Sequence, residues 1–430
     1  MTGRLNFLEA PWRPIEPWDA CLPEELRRQR GTYSHMITDH YHYFHAGGEG
    51  YHTLFDSWEF RRGQEGDAWR PWAKDVPIPE FKGKNRRPYW VNRMFMDTER
   101  DEEYPTPQCF QRAVEFLDHH HDADNWHLHL EVFDRHEPFV CPQKYLDLYG
   151  DAWDGAYHFD WPSYKKVTEG PEAVAHIRNR YAALVTMTDL WLGKLLDKMD
   201  ELDMWKDTVL ILTTDHGYLL GERGYWAKNY MFDYNELVHI PLIVCAPDAA
   251  FRGRRVSALT ATVDIMPTIL SLHGAEAPAQ VHGRSLLHLL ERDEPHHESV
   301  LYGYFGKDIN LFDGRYTYCR QPLHGSAVHH HTAMPRNFSG FIPADKLREA
   351  ETGVFLASSR GIPHYRISVP SKHHADAPEW NPIYDIARDP GQTAPIRDPN
   401  LERRLAASLI RALERVEAPE CQYIRTGLKS

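Results

Sequence analysis

The sequence has no apolar run approaching the roughly 20 residues that a membrane-spanning helix needs. Its first residues, Met1-Thr2-Gly3-Arg4-Leu5, contain no apolar stretch of the signal-peptide kind. Basic residues are in deficit, with 49 Lys and Arg against 62 Asp and Glu and a net charge of -13. A nucleic-acid binder would normally show the opposite balance, whereas a local basic pocket for a small anion is compatible with it. Cysteine is scarce. The six residues Cys21, Cys109, Cys141, Cys245, Cys319 and Cys421 form no C-x-x-C pair, which argues against a zinc ribbon or a redox motif and favours a reducing compartment. Internal repeats and low-complexity tracts are missing as well.

What is present is enough apolar and aromatic material for a sizeable core, 42% and 12% of the chain respectively. Histidine is abundant at 27 residues, with the triplets His119–His121 and His329–His331 reading as solvated loop faces. The spacing predicts helices over Leu22–Arg30, Phe110–Asp118 and, most clearly, Glu172–Leu202, where apolar residues recur near a 3.6-residue period. Tyr33–Thr38 and Trp126–Phe133 read as strands. Thr208–Thr213 and His239–Cys245 are short continuous apolar runs, expected to be buried strands of a parallel sheet. Asp264 is expected to cap a helix reaching Leu272. Alternating helices and strands through 110–273 imply an α/β fold with its sheet covered on both faces. Beyond about residue 295 short strands and a final helix, Leu401–Arg415, suggest a smaller α+β subdomain, giving expected units of 1–295 and 296–430.

The strongest chemical signal is Thr213-Thr214-Asp215-His216-Gly217, placed at the carboxyl end of a strand, where α/β sheets bind ligands. An adjacent carboxylate and imidazole can serve one divalent cation, and the glycine is expected to let the backbone turn sharply. A glycine-containing loop follows and ends in Lys228, which can bring an ammonium to an anion held at that cation. Read without context, Asp215 could equally cap a turn and Lys228 could be an ordinary solvated lysine.

The run TTDHGYLLGERGYWAKNYMFDYNELVHIPLIV resembles the pattern of the type I sulfatases and the related phosphonate and phosphate diester hydrolases of the alkaline phosphatase superfamily. Three other stretches agree: Phe133-Asp134-Arg135-His136-Glu137-Pro138-Phe139, Thr262–Thr268 followed by His282–Leu286, and Tyr384-Asp385 with Asp389–Gln392. The resemblance implies an alkaline-phosphatase-like mixed sheet flanked by helices. It implies that Asp215 and His216 bind a divalent metal, Ca2+ before Mg2+ or Mn2+, that Lys228 and His136 contact the ester, and that His136 protonates the leaving oxygen. Tyr33–His42 resembles the strand that leads to a family Lys and His. Here Asp39 and His40 stand where Gly and Lys are usual, and His42 matches the His. His40 is thus expected at the substrate, with a pH-dependent charge in place of a fixed one, and His42 among the catalytic residues.

Thr2-Gly3-Arg4 resembles the tail of the family signature, so the Cys or Ser that becomes formylglycine is expected just upstream of Met1, together with the first strand and its carboxylates. Cys21-Leu22-Pro23 begins like the signature but has no following arginine. The chain as given is therefore expected to lack hydrolytic activity. The implied substrate is a small-molecule or glycan sulfate ester. The alternatives are a phosphonate or phosphate diester hydrolase, or a non-catalytic protein on the same fold.

Overall fold

A computed structural model describes the chain except residues 46–47, 97–98, 248–252, 339 and 430. After a helix over Leu22–Arg30, its first three strands, β1 (Tyr33–Thr38), β2 (Ser57–Phe60) and β3 (Trp126–Glu131), form a parallel sheet in the order β2-β1-β3. The register sets Thr38 against Phe60 and Glu131, so the carboxyl ends of all three strands open on one side. β1 is buried along most of its length, as expected for a central strand.

Two helices pack against this sheet. Pro105–His120 and Pro171–Glu201 both start with proline at the first helical position, where its missing N–H costs nothing. They bury Phe110, Ala113, Leu117, Ile177, Leu184, Met187 and Leu195 in the largest core cluster. At about 25 cal/mol per Å² of apolar area, each fully buried side chain of this kind contributes roughly 1.5–3 kcal/mol.

The strand after the long helix departs from expectation. β4 (Leu210–Thr213) pairs antiparallel with β7 (Leu242–Cys245), and between them lies a small hairpin of β5 (Leu219–Leu220) and β6 (Trp226–Ala227). β4 and β7 are only half-buried, with Leu212 36% and Ile243 54% exposed. The anticipated buried parallel strands are thus an antiparallel, half-covered pair. The reason is local: among the described residues β4 has β7 as its one partner, and β3 has β1 as its one partner. Leu128 and Leu130 of β3 and Leu210 of β4 nevertheless lean on the same core cluster, so two open strand edges lie over one helical layer.

The later part of the chain forms an antiparallel sheet from Val300–Gly303, Ile309–Phe312, Tyr316–Arg320 and Ile383–Asp385. The helix Pro399–Arg415 packs Leu405, Leu409 and Leu413 onto it, and Leu8 from the start of the chain joins the same core. Asp398 caps that helix through the amides of Asn400 and Leu401. Two further expectations need correction. His329–His331 lie in a strand, Ala327–Thr332, with His330 and His331 buried. Asp264 closes a short turn, accepting from the Ala261 amide at 2.8 Å, and makes no cap bond to the helix Ile265–Leu272 that follows. Among the described residues no helix is long and apolar enough to cross a membrane.

Candidate active site

β4 ends at Thr213 and hands the chain to Asp215 and His216. Gly217 then runs so close to the neighbouring segment that an added Cβ would stand 1.8 Å from the Glu236 carbonyl oxygen, while its amide donates to Leu237 at 2.8 Å. The glycine is therefore required by close approach and not by the sharp turn anticipated for it. This contact fixes the direction in which the preceding pair points.

His216 donates from Nδ1 to the Gly217 carbonyl at 2.8 Å. That bond leaves the Nε2 lone pair free to accept, the arrangement a metal-binding imidazole requires. Nε2 lies 3.1 Å from Asp215 Oδ2 and 2.8 Å from the Lys228 ammonium. The Asp215 side chain is 80% exposed, so one carboxylate oxygen and one imidazole nitrogen converge at an accessible point. Partial desolvation by the surrounding site works to raise the carboxyl of Asp215, but His216 and Lys228 outweigh it and hold the group below its usual value. Lys228 is itself buried, which lowers its pKa, and Glu137 and Asp215 act against that change.

Phe133–Glu137 brings a second imidazole. The loop is pinned by Asp39, which accepts from the Phe133 amide at 2.7 Å, from Thr106 at 2.7 Å and from Gln64 at 2.8 Å. Gln64 also donates to Asp134. Burial and the neighbouring Asp39 push Asp134 up to about 8, so this carboxyl pair keeps a proton at neutral pH. His136 donates from Nδ1 to the Glu137 carbonyl at 2.7 Å and packs on Phe133. Burial lowers its pKa to about 4 despite Glu137, with Lys228 adding to the effect. Glu137 is fully buried and is bound by Lys84 at 3.0 Å.

His40 and His42 complete the group. His40 Nδ1 meets Glu131 at 2.7 Å, and its Nε2 lies 3.2 Å from His42 Nδ1. His42 Nε2 is 3.3 Å from Glu65. Burial works to raise Glu65, but hydrogen bonds from His42 and Tyr41 prevail and keep it at about 2. Glu131 in turn acts electrostatically on Asp215, and Glu65 on His136. All six residues singled out in the sequence thus share one neighbourhood. Sequence reading missed the carboxylates Glu65, Glu131 and Glu137 and the cation Lys84. Only Glu137 carried a local signal, adjacent to His136.

Asp215 and His216 suit a divalent cation as two of its donors. Among the described residues they belong to no cluster of three or more ligating side chains. A cation of the calcium type takes six to eight oxygens, so these donors alone are a partial set.

The sulfatase family profile matches residues 4–275. The chain belongs to the sulfatase family. Similar relatives include an N-acetylglucosamine-6-O-sulfatase of Bacteroides thetaiotaomicron, 32% identical over 33% of this chain and 26% of the relative. A multifunctional alkaline phosphatase superfamily protein of Trinickia caryophylli is 29% identical over 43% and 41%. A choline-sulfatase of Rhizobium meliloti is 29% identical over 40% and 37%. This sulfatase-family chain therefore aligns with well under half of each of these relatives. Two solved structures share its fold. One, captured with its substrate D-glucosamine-2-N,6-O-disulfate, has a TM-score of 0.62 at 14% identity, covering 98% of this chain and 90% of the other. The other, a phosphonate monoester hydrolase from Silicibacter pomeroyi, has a TM-score of 0.60 at 18% identity, covering 97% and 85%. The fold is the alkaline-phosphatase-like α/β arrangement expected from the sequence.

Proposed function

We propose that this chain supplies the metal- and anion-binding face of a sulfuric ester hydrolase. The observation that carries the reading is His216, tied at Nδ1 to a backbone carbonyl, with Nε2 between the Asp215 carboxylate and the Lys228 ammonium. Asp215 and His216 would hold a divalent cation, which when bound polarises the ester oxygens. Lys228 donates its charge to the transferring sulfate, where a buried ammonium is worth more than in water. His40 and His42 line the same group, joined to each other through Nε2 and Nδ1. His136 is oriented by the Glu137 carbonyl, which leaves Nε2 to face the leaving oxygen. With its pKa near 4 the free imidazole is neutral. Proton donation by it then requires that the bound anionic group raise that value.

The nucleophile is proposed to be a formylglycine from a C-x-P-x-R or S-x-P-x-R signature, which the residues given do not contain, and the chain by itself is proposed to be inactive. Cys21 is a poor substitute, because its buried thiol is pushed up to about 12 and so stays protonated. The test is hydrolysis of an aryl sulfate by the chain and by a version extended upstream through an in-frame C-x-P-x-R or S-x-P-x-R segment. The extended protein is expected to turn over and the shorter one not. Turnover by the shorter chain would contradict the assignment.

Phosphonate or phosphate diesters are the second reading. It is favoured by His40 in place of a fixed positive charge and by the structural likeness to a phosphonate monoester hydrolase. Comparing aryl sulfate with aryl phosphonate monoester on the extended protein separates the two.

A further inference from the structure

A second group of ligating side chains lies on different elements and shares no residue with the first site. Asp264 sits in the turn Thr262–Asp264, and His296 and His297 precede the strand Val300–Gly303. Their donor atoms all fall within 4.8 Å of one another. We propose that Asp264, His296 and His297 bind a single divalent transition-metal ion of the zinc class, independently of Asp215 and His216.

The geometry is close to that of a formed site. His297 Nε2 stands 2.9 and 3.0 Å from the two Asp264 oxygens, and His296 Nε2 stands 3.5 Å from Oδ2. Ligands about 2.0–2.1 Å from a tetrahedral zinc lie roughly 3.3 Å apart. The Asp264 side chain is fully buried, and those of His296 and His297 are 2% and 10% exposed. The carboxylate is held in place by the amides of Ala261 and Arg284, each at 2.8 Å.

Two observations concern the nitrogens. His296 Nδ1 is 3.3 Å from His288, while its buried Nε2 has no hydrogen-bond partner among the described residues and faces the carboxylate. An unpartnered buried nitrogen opposite a carboxylate oxygen is costly unless a cation stands between them. His297 Nδ1 is 2.7 Å from an Arg284 guanidinium nitrogen. It accepts there, so without metal its Nε2 carries the proton and donates to Asp264. A metal at Nε2 requires the neutral tautomer with the proton on Nδ1, so the ring gives up its bond from Arg284, while that guanidinium keeps the His296 carbonyl. Two imidazoles and one carboxylate, without thiolate, select zinc, cobalt, nickel or iron(II) over calcium.

The experiment titrates chelator-stripped chain with Co2+, followed by its visible ligand-field bands, and then displaces it with Zn2+. Wild type, Asp215→Asn, His296→Gln and His297→Ala are compared, each checked for folding by circular dichroism. The expected result is one equivalent bound to Asp215→Asn, and the same equivalent in wild type beside the ion held at Asp215 and His216. Loss of either imidazole should weaken binding by more than the roughly 10–100-fold that removing an outer-shell partner costs. His296→Gln keeps the test decisive if His297→Ala fails to fold, because His296 Nε2 has no hydrogen bond to lose. The proposal is overturned if wild type binds no stoichiometric metal. It is overturned equally if His296→Gln binds like wild type, or if Asp215→Asn alone abolishes binding.

Discussion

Replacing Lys228 by methionine removes an ammonium while keeping an unbranched chain of similar length. Lys228 is 8% exposed, and its Nζ lies 2.8 Å from His216 Nε2. A charge-assisted hydrogen bond from such a group to an anion is worth about 1.5–3 kcal/mol. That corresponds to a roughly 10–150-fold weaker sulfate affinity. The variant also leaves Asp215 and Glu137, both of which act on the ammonium, facing the anion with less compensation, so the upper part of that range is expected. Calorimetric titration of sulfate into wild type and Lys228→Met measures the change. Lys206→Met provides the control, since that lysine side chain is 62% exposed and pairs with Asp203 on the surface. If folded Lys228→Met binds sulfate within twofold of wild type, Lys228 does not serve the anion.

The buried histidines predict acid lability in a defined window. Burial lowers His127, His330 and His331 to about 3, so the fold holds them neutral while the unfolded chain protonates them near 6.5. The unfolded state then binds more protons, and stability present above pH 6.5 is lost as pH falls towards 3. Urea midpoints at pH 7.5, 5.5 and 4.5 should fall steadily, and His330→Phe or His331→Phe should flatten that fall. Gly217→Ala should cost at least the roughly 1–3 kcal/mol of an overpacked site, because the added Cβ meets backbone that cannot move aside. Thermal denaturation should show a drop of several degrees. Gln64→Ala removes the shared donor between Asp39 and Asp134 and should loosen the His136 loop, read as faster amide exchange at Phe133–Glu137 with little change in the helix Pro171–Glu201.

Much of the fold was legible because local pattern and tertiary role agreed. The helix Pro171–Glu201 and the strand Tyr33–Thr38 fall within one residue of their expected limits. Strand direction was not legible. An apolar run such as Thr208–Thr213 has the same composition whether its partner runs parallel or antiparallel. The site residues Asp215, His216, His136 and Lys228 stood in recognisable motifs. Their partners did not: Glu131 reaches His40 across 91 residues and Lys84 reaches Glu137 across 53, pairings that only the folded chain creates. The solvated-loop reading of His329–His331 failed because a strand interior can bury imidazoles that the sequence alone marks as polar.

The measurement that bears most directly on the shared site is the coupling between Ca2+ and sulfate. Sulfate is titrated with and without saturating Ca2+ in wild type, Asp215→Asn and His216→Asn. A common site predicts that Ca2+ tightens sulfate binding in wild type and that either substitution abolishes the gain. Sulfate affinity that ignores Ca2+, or a gain that survives both substitutions, would contradict it.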